Sequence, residues 1–195
     1  MERKMKTLIM AVGLGMLSLN AYSASWQVSN EGSRVNFISI KKGDIAEVHH
    51  FSEVSGELSD AGAFSLSIPL SSVVTNVDIR DQRMKEILFE TAQYPALKLS
   101  AKVDGSQIEQ ASVGSIMSMT IEASISLHGE SQTIPVMVSV AKLAKDKLMV
   151  ASEAPLVVNA ADFGFTSGVE KLRELAGLSS ISLAVPVSFV LTLKR

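Results

Sequence analysis

An all-β fold of about eight antiparallel strands, closed as a barrel or stacked as a sandwich, is what this 195-residue sequence predicts. Three observations predict it. Apolar and polar residues alternate with period two through most of the chain, as they do on a strand with one buried face. Turn-forming residues interrupt these runs at short intervals, which suits antiparallel neighbours. Only two stretches carry helical spacing instead. A barrel has the advantage over a sandwich of leaving no strand edge exposed.

The chain begins with Met1-Glu2-Arg3-Lys4-Met5-Lys6, followed by an apolar run from Leu8 to Leu19 and then Ala21-Tyr22-Ser23-Ala24. A dozen apolar residues are too few to span a bilayer and match the h-region of a secretory leader. Small residues at Ala21 and Ser23 place cleavage after Ser23, so residues 24–195 form the exported domain, periplasmic in location. No Cys occurs anywhere, which excludes a lipid-anchored cysteine and leaves stability to the apolar core. Eighteen basic residues oppose 20 acidic ones, and the leader removes three of the former. A mildly acidic domain gives no footing for nucleic acid or for an anionic membrane. No later segment suits a membrane span, and a monomer or homodimer is expected.

The strands follow in order. Weak patterns cover Arg34–Ile40 and Ala46–Leu58. Phe64, Leu66, Ile68 and Leu70 alternate with Ser65, Ser67 and Pro69; Leu97, Leu99, Ala101 and Val103 alternate with lysine and serine. The longest early run is Met117, Met119, Ile121, Ala123, Ile125 and Leu127. A polar turn at His128-Gly129-Glu130-Ser131 leads to Ile134, Val136, Val138 and Val140. After a weaker stretch over Lys147–Val158, seven alternations from Ile181 to Leu193 close the chain. Gly56, Asp60-Ala61-Gly62, Asp104-Gly105-Ser106 and Lys145-Asp146 supply turns. Pro69, Pro135 and Pro186 lack a donor and mark bulges or local edges. The two helical stretches are Asp78–Glu90 and Gly168–Leu178, placed to cap or flank one end.

Chemistry is sparse. His49, His50 and His128 are the only histidines, and neighbours on a strand point to opposite faces, so no metal site is expected. No Gly-x-Ser-x-Gly elbow is present, and Asp162-Phe163-Gly164 lacks the other kinase elements. Thr75 or Asn76 is expected to cap the first helix, with Arg80 and Asp81 anchoring it. Five methionines beyond the leader, Met117 and Met119 among them, suit either a packed core or the lining of a lumen.

Ser72-x-x-Thr75, Arg80-Asp81, Tyr94-Pro95, Leu127-His128-Gly129 and the late Asp162-Phe163-Gly164, in this order on a barrel pattern, resemble the YceI-like family. The similarity runs from Trp26 to the last strand. It departs at Ala160, where the family often carries Arg, and at Glu57-Leu58, where an aromatic is usual. The resemblance implies an extended, lipocalin-like antiparallel β-barrel whose lumen holds a polyisoprenoid or the tail of an isoprenoid quinone, with no catalytic residue and no cofactor. Ser72, Thr75, Arg80, Asp81, Tyr94, Pro95, Gly129, Asp162 and Gly164 are then structural markers. The residues expected to face the ligand are Met117, Met119, Ile121 and Ile125, then Leu97, Leu99, Val136, Val138, Phe64 and Phe163. Two other readings compete: an enzyme on a hydrophobic substrate using Asp81, His49, His50 or His128, and a solid-core β-sandwich serving interactions in the envelope.

Overall fold

The computed structural model describes residues 25–195; the expected leader lies outside the described residues. Among the described residues eleven strands carry the fold: β1 Trp26–Lys41, β2 Ile45–Phe51, β3 Ser55–Leu58, β4 Ala63–Pro69, β5 Val73–Val74, β6 Ala96–Lys102, β7 Ile116–Leu127, β8 Glu130–Ala144, β9 Lys147–Ser152, β10 Leu156–Asn159 and β11 Ala184–Lys194. Eight of them close into an antiparallel ring in the order β1, β11, β9, β8, β7, β6, β4, β3 and back to β1. The fold is therefore a closed barrel and not a sandwich. The remaining three lengthen its wall at one end. β2 pairs with β1 beyond β3, β5 adds to β2, and β10 pairs with β11 beyond β9.

Alternation sets the register. Leu97 and Leu99 lie opposite Ile68 and Leu66, while Ile121 and Met119 lie opposite Val136 and Val138, so apolar rows from successive strands share the inner face. The outer positions between them, Ser118, Thr120, Glu122, Ser124 and Ser126, are exposed. The β7–β8 hairpin turns on His128 and Gly129, both at positive φ (54° and 84°). This is the pattern of a two-residue turn whose twist matches its strands. Gly129 is also needed for room, since a Cβ there would lie 3.3 Å from Cε1 of Tyr94. Pro135 sits in β8 before its pairing with β9 begins at Val138, a local edge where a missing N–H costs no ladder bond.

The helices differ in detail from the sequence expectation. α1 covers Asp78–Arg83 and continues as a π-type turn over Met84–Leu88. Its cap residue is Val77, and neither Thr75 nor Asn76 caps it; Thr75 is instead held by the carboxylate of Asp81. The Asp104-Gly105-Ser106 turn opens a helix that the alternation concealed, α2 Gly105–Gln110, capped by the Asp104 carboxylate on the Ser106 N–H at 3.0 Å. α3 spans Thr166–Leu175. Gly168 lets it lie against the π-type turn, because a Cβ there would sit 3.1 Å from the Ile87 carbonyl. Each weak pattern at Ala46–Leu58 and Lys147–Val158 splits into two strands, since the chain passes there from the ring to its extension.

Candidate functional site

The barrel has one end stopped by α2; the other, the mouth, is covered by the π-type turn and α3. At the stopped end Trp26, Leu58, Leu148, Leu193 and Ile108 pack together, and all are at most 5% exposed. α2 forms the stopper, with Ile108 pressed into the core. Lys142, only 8% exposed, donates from Nζ to the Ile108 and Glu109 carbonyls at 3.1 and 3.0 Å, satisfying acceptors at the helix end. The guanidinium of Arg195 lies 4.3 Å over the Trp26 ring and pairs with Glu109 and Asp60 at 2.6 and 3.2 Å.

Above this floor runs a cavity of about 240 Å³ whose lining residues are all apolar. That is roughly twenty times the room one water needs, yet nothing in its wall would hold water. The wall strands are long. At about 3.4 Å per residue and a barrel tilt near 40°, the 12 residues of β7 rise roughly 30 Å. Such a space suits a long, slender apolar chain, whose burial yields about 0.8 kcal/mol per CH₂.

Nine of the ten residues expected to face a ligand border this cavity: Met119, Ile121, Ile125, Leu97, Leu99, Val136, Val138, Phe64 and Phe163. Met117 is on the same inner face but does not border the cavity; it packs against Trp26's cluster and the Val136–Val140 row. Sequence reasoning missed the aromatic side of the lumen, Phe37, Phe51, Phe89 and Phe165. Two of these sit on β1 and β2, where the alternation is weak; Phe89 lies within the first expected helical stretch and Phe165 just before the second, where a period-two search does not look.

Those aromatics form one chain of rings across the mouth. His49 meets Phe37 at 5.3 Å, Phe37 meets Phe51 at 5.4 Å, and Phe51 meets Phe89 at 6.0 Å. Phe89 meets Phe165 at 5.8 Å, Phe165 meets His128 at 4.7 Å, and His128 meets Tyr94 at 4.3 Å. These spacings are those of favourable tilted ring pairs. α3 adds Val169 to the cavity wall.

The sequence markers gather at this same end. Ser72 Oγ donates to the Pro69 carbonyl at 2.7 Å, and the Leu70 N–H donates to that of Pro95 at 2.9 Å. Arg80 donates from Nε to Thr75 Oγ1 (2.8 Å), from one terminal nitrogen to the Thr75 carbonyl (2.6 Å) and from the other to Glu47 (2.6 Å). Thr75 in turn donates its N–H (2.8 Å) and its hydroxyl to Asp81. α1 is thereby fastened to the β1–β2 hairpin by a planar fork that Lys could not reproduce. Asp162 accepts from Asn159, and Gly164, at φ 73°, ends the short turn Ala160–Phe163.

Electrostatics at the mouth is local. The Lys41 ammonium and then the Arg80 guanidinium hold the Glu47 carboxyl below its ordinary range. Burial pushes the His49 imidazole below its usual value, with Arg80 adding to the effect. His128 pairs with Glu90 at 2.8 Å, so His49, His50 and His128 do not converge on one point. Among the described residues no cluster of three or more His or acidic side chains could hold a metal, and no helix is long and apolar enough to cross a membrane.

Residues 26–193 match the family described as the YceI-like domain. The chain belongs to the YceI-like family. No curated protein matches it. Among solved structures this YceI-like barrel is similar to a polyisoprenoid binding domain from Saccharophagus degradans implicated in plant cell wall breakdown. The two share 38% identity over 88% of this chain and 98% of that one, with a TM-score of 0.85. It is also similar in fold to BcnA from Burkholderia cenocepacia, at 16% identity over 85% and 98% of the two chains and a TM-score of 0.67. The extended antiparallel barrel expected from the sequence is thus the fold observed.

Proposed function

We propose that this YceI-like protein is a non-catalytic periplasmic carrier that holds a polyisoprenoid, or the tail of an isoprenoid quinone, in its barrel lumen for transport, storage or sequestration. The observation that carries the reading is the lumen itself: a long cavity with an entirely apolar wall, stopped at one end and ringed by aromatics at the other. A ligand without charge along its length must be recognised by buried area and shape, and this wall supplies both. The related S. degradans structure, described as a polyisoprenoid binding domain, supports the same ligand class. The leader-like first 23 residues support export. Among the described residues the lumen wall is entirely apolar, which supports a role in holding and releasing over one in conversion.

Native mass spectrometry of the protein purified from envelope extracts tests the reading. The expected result is a co-purified hydrophobic mass, identified as an isoprenoid after extraction and displaced by added polyprenol. A protein that carries no such mass, and takes up neither polyprenol nor isoprenoid quinone in vitro, overturns it.

A further inference from the structure

Among the described residues one buried side-chain polar atom has no hydrogen-bond partner, Nδ1 of His49. Buried polar atoms are nearly always paired, so an orphan of this kind calls for a reason. His49 is 3% exposed and lies on the inner face of β2. Phe51, two residues along the same face, and Phe37, directly opposite in register on β1, both border the lumen. The imidazole is therefore the first polar group beyond the apolar wall on this side of the mouth. Past it the same hairpin face carries Glu47, bound to Lys41 at 2.6 Å and Arg80 at 2.6 Å. The lip thus grades from hydrocarbon to imidazole to fixed charge.

The chemistry of the orphan is set by its other edge. Nε2 of His49 faces Glu47 Oε2 at 3.7 Å, too long for a hydrogen bond but attractive to an N–H. Glu47 is held ionised by its two cations. This assigns the ring proton to Nε2 and leaves Nδ1 with a lone pair, an acceptor without a donor. The ring is neutral because burial disfavours the imidazolium.

We infer that Nδ1 of His49 is a head-group subsite that accepts a hydrogen bond from a terminal hydroxyl of the isoprenoid held in the lumen. The inference rests on the lumen reading and adds a selectivity to it. Prenols and quinols, which carry the donor, are retained over ethers of the same chain and over quinones, which do not. A hydrocarbon end or an ether oxygen arriving at Nδ1 would leave the lone pair unpaired, a difference of about ten-fold in affinity.

The test is competition for the full-length mature protein between a polyprenol and its methyl ether of equal chain length, and separately between a quinol and its quinone, read by native mass spectrometry. Wild type is expected to favour the hydroxyl ligand about ten-fold in at least one pair, and the pair that responds identifies the head group. His49→Phe should bind both members alike; His49→Gln, which keeps an acceptor, should retain part of the preference. ¹⁵N-histidine spectra of wild type supply a measurement independent of the variants' folding: the Nδ1 resonance of His49 should shift with the hydroxyl ligand and stay with its ether. Equal binding within both pairs by wild type, or a preference undiminished in His49→Phe, overturns the His49 assignment and leaves the lumen reading standing. Failure of every ligand to bind overturns the lumen reading and this inference together.

Discussion

The two ends of the barrel are built from the same alternating strands but solve opposite problems. At the stopped end a buried Lys142 and the Arg195 guanidinium fasten α2, and Ile108, Trp26, Leu148 and Leu193 fill the space beneath it. At the mouth the polar contacts lie on the lip, with Arg80 and Glu47 partly exposed. Arg80, Thr75, Asp81 and Glu47 form a network on the lip, while the rings of Phe51, Phe89 and Phe165 meet one another across this end and border the cavity. A closed core gains from complete packing, whereas a site that must admit a chain has to leave room and hold its gate with specific contacts. The difference teaches where each kind of substitution should hurt.

The sharpest contrast is across a single strand. Ile121→Lys, which puts a charge into the apolar lumen, should abolish uptake of polyprenol, whereas Glu122→Lys on the exposed face should leave it within about two-fold. Tight binding by Ile121→Lys would show that the lumen is not where ligand sits. Next, equivalent truncations at the two ends should separate stability from binding. Trp26→Ala should cost about 3–5 kcal/mol in urea unfolding, while Phe89→Ala, beside existing free space, should cost less and instead speed ligand release. Equal stability losses with equal release rates would erase the distinction between plug and gate.

The polar anchors provide a smaller effect of the same form. Lys142→Met, which leaves the Ile108 and Glu109 carbonyls unpartnered, should lower stability by about 1–3 kcal/mol with little change in affinity. Arg80→Lys loses the fork to Thr75 and Glu47 and should cost about 1 kcal/mol while accelerating release in stopped-flow measurements. The smallest effect is that of pH. The folded pKa of His49 lies below its ordinary 6.5. Its contribution to stability is therefore complete above that pH and is lost as pH falls from 6.5 toward the depressed folded value. Urea midpoints should fall with acidification through this window, and His49→Phe should remove His49's share of the slope; an unchanged slope would mean that burial of the ring carries no such penalty.

The sequence by itself determined the wall. Strict alternation from Met117 to Leu127 and from Val185 to Leu193, together with Val136 and Val138, fixes which side chains face inward, because the side-chain period of a strand is two and a register slip would expose the whole set; the alternation at Ile181 and Leu183 precedes β11 and does not reach the lumen. The sequence also located two of the three helical interruptions among the described residues, missing α2, and the marker residues, since their order along the chain is a local property. Tertiary structure alone decided three things. Closure came from β1 meeting β11, residues some 150 positions apart in sequence, and no local pattern distinguishes that pairing from a sandwich. A lumen in place of a packed core depends on whether facing rows meet across the barrel, which is a matter of strand number and tilt. The mouth was assembled from Phe37, Phe51, Phe89 and Phe165 on four separate segments, and the orphaned Nδ1 of His49 exists only because folding carries that ring to the lumen's edge and leaves one of its nitrogens with nothing to bind.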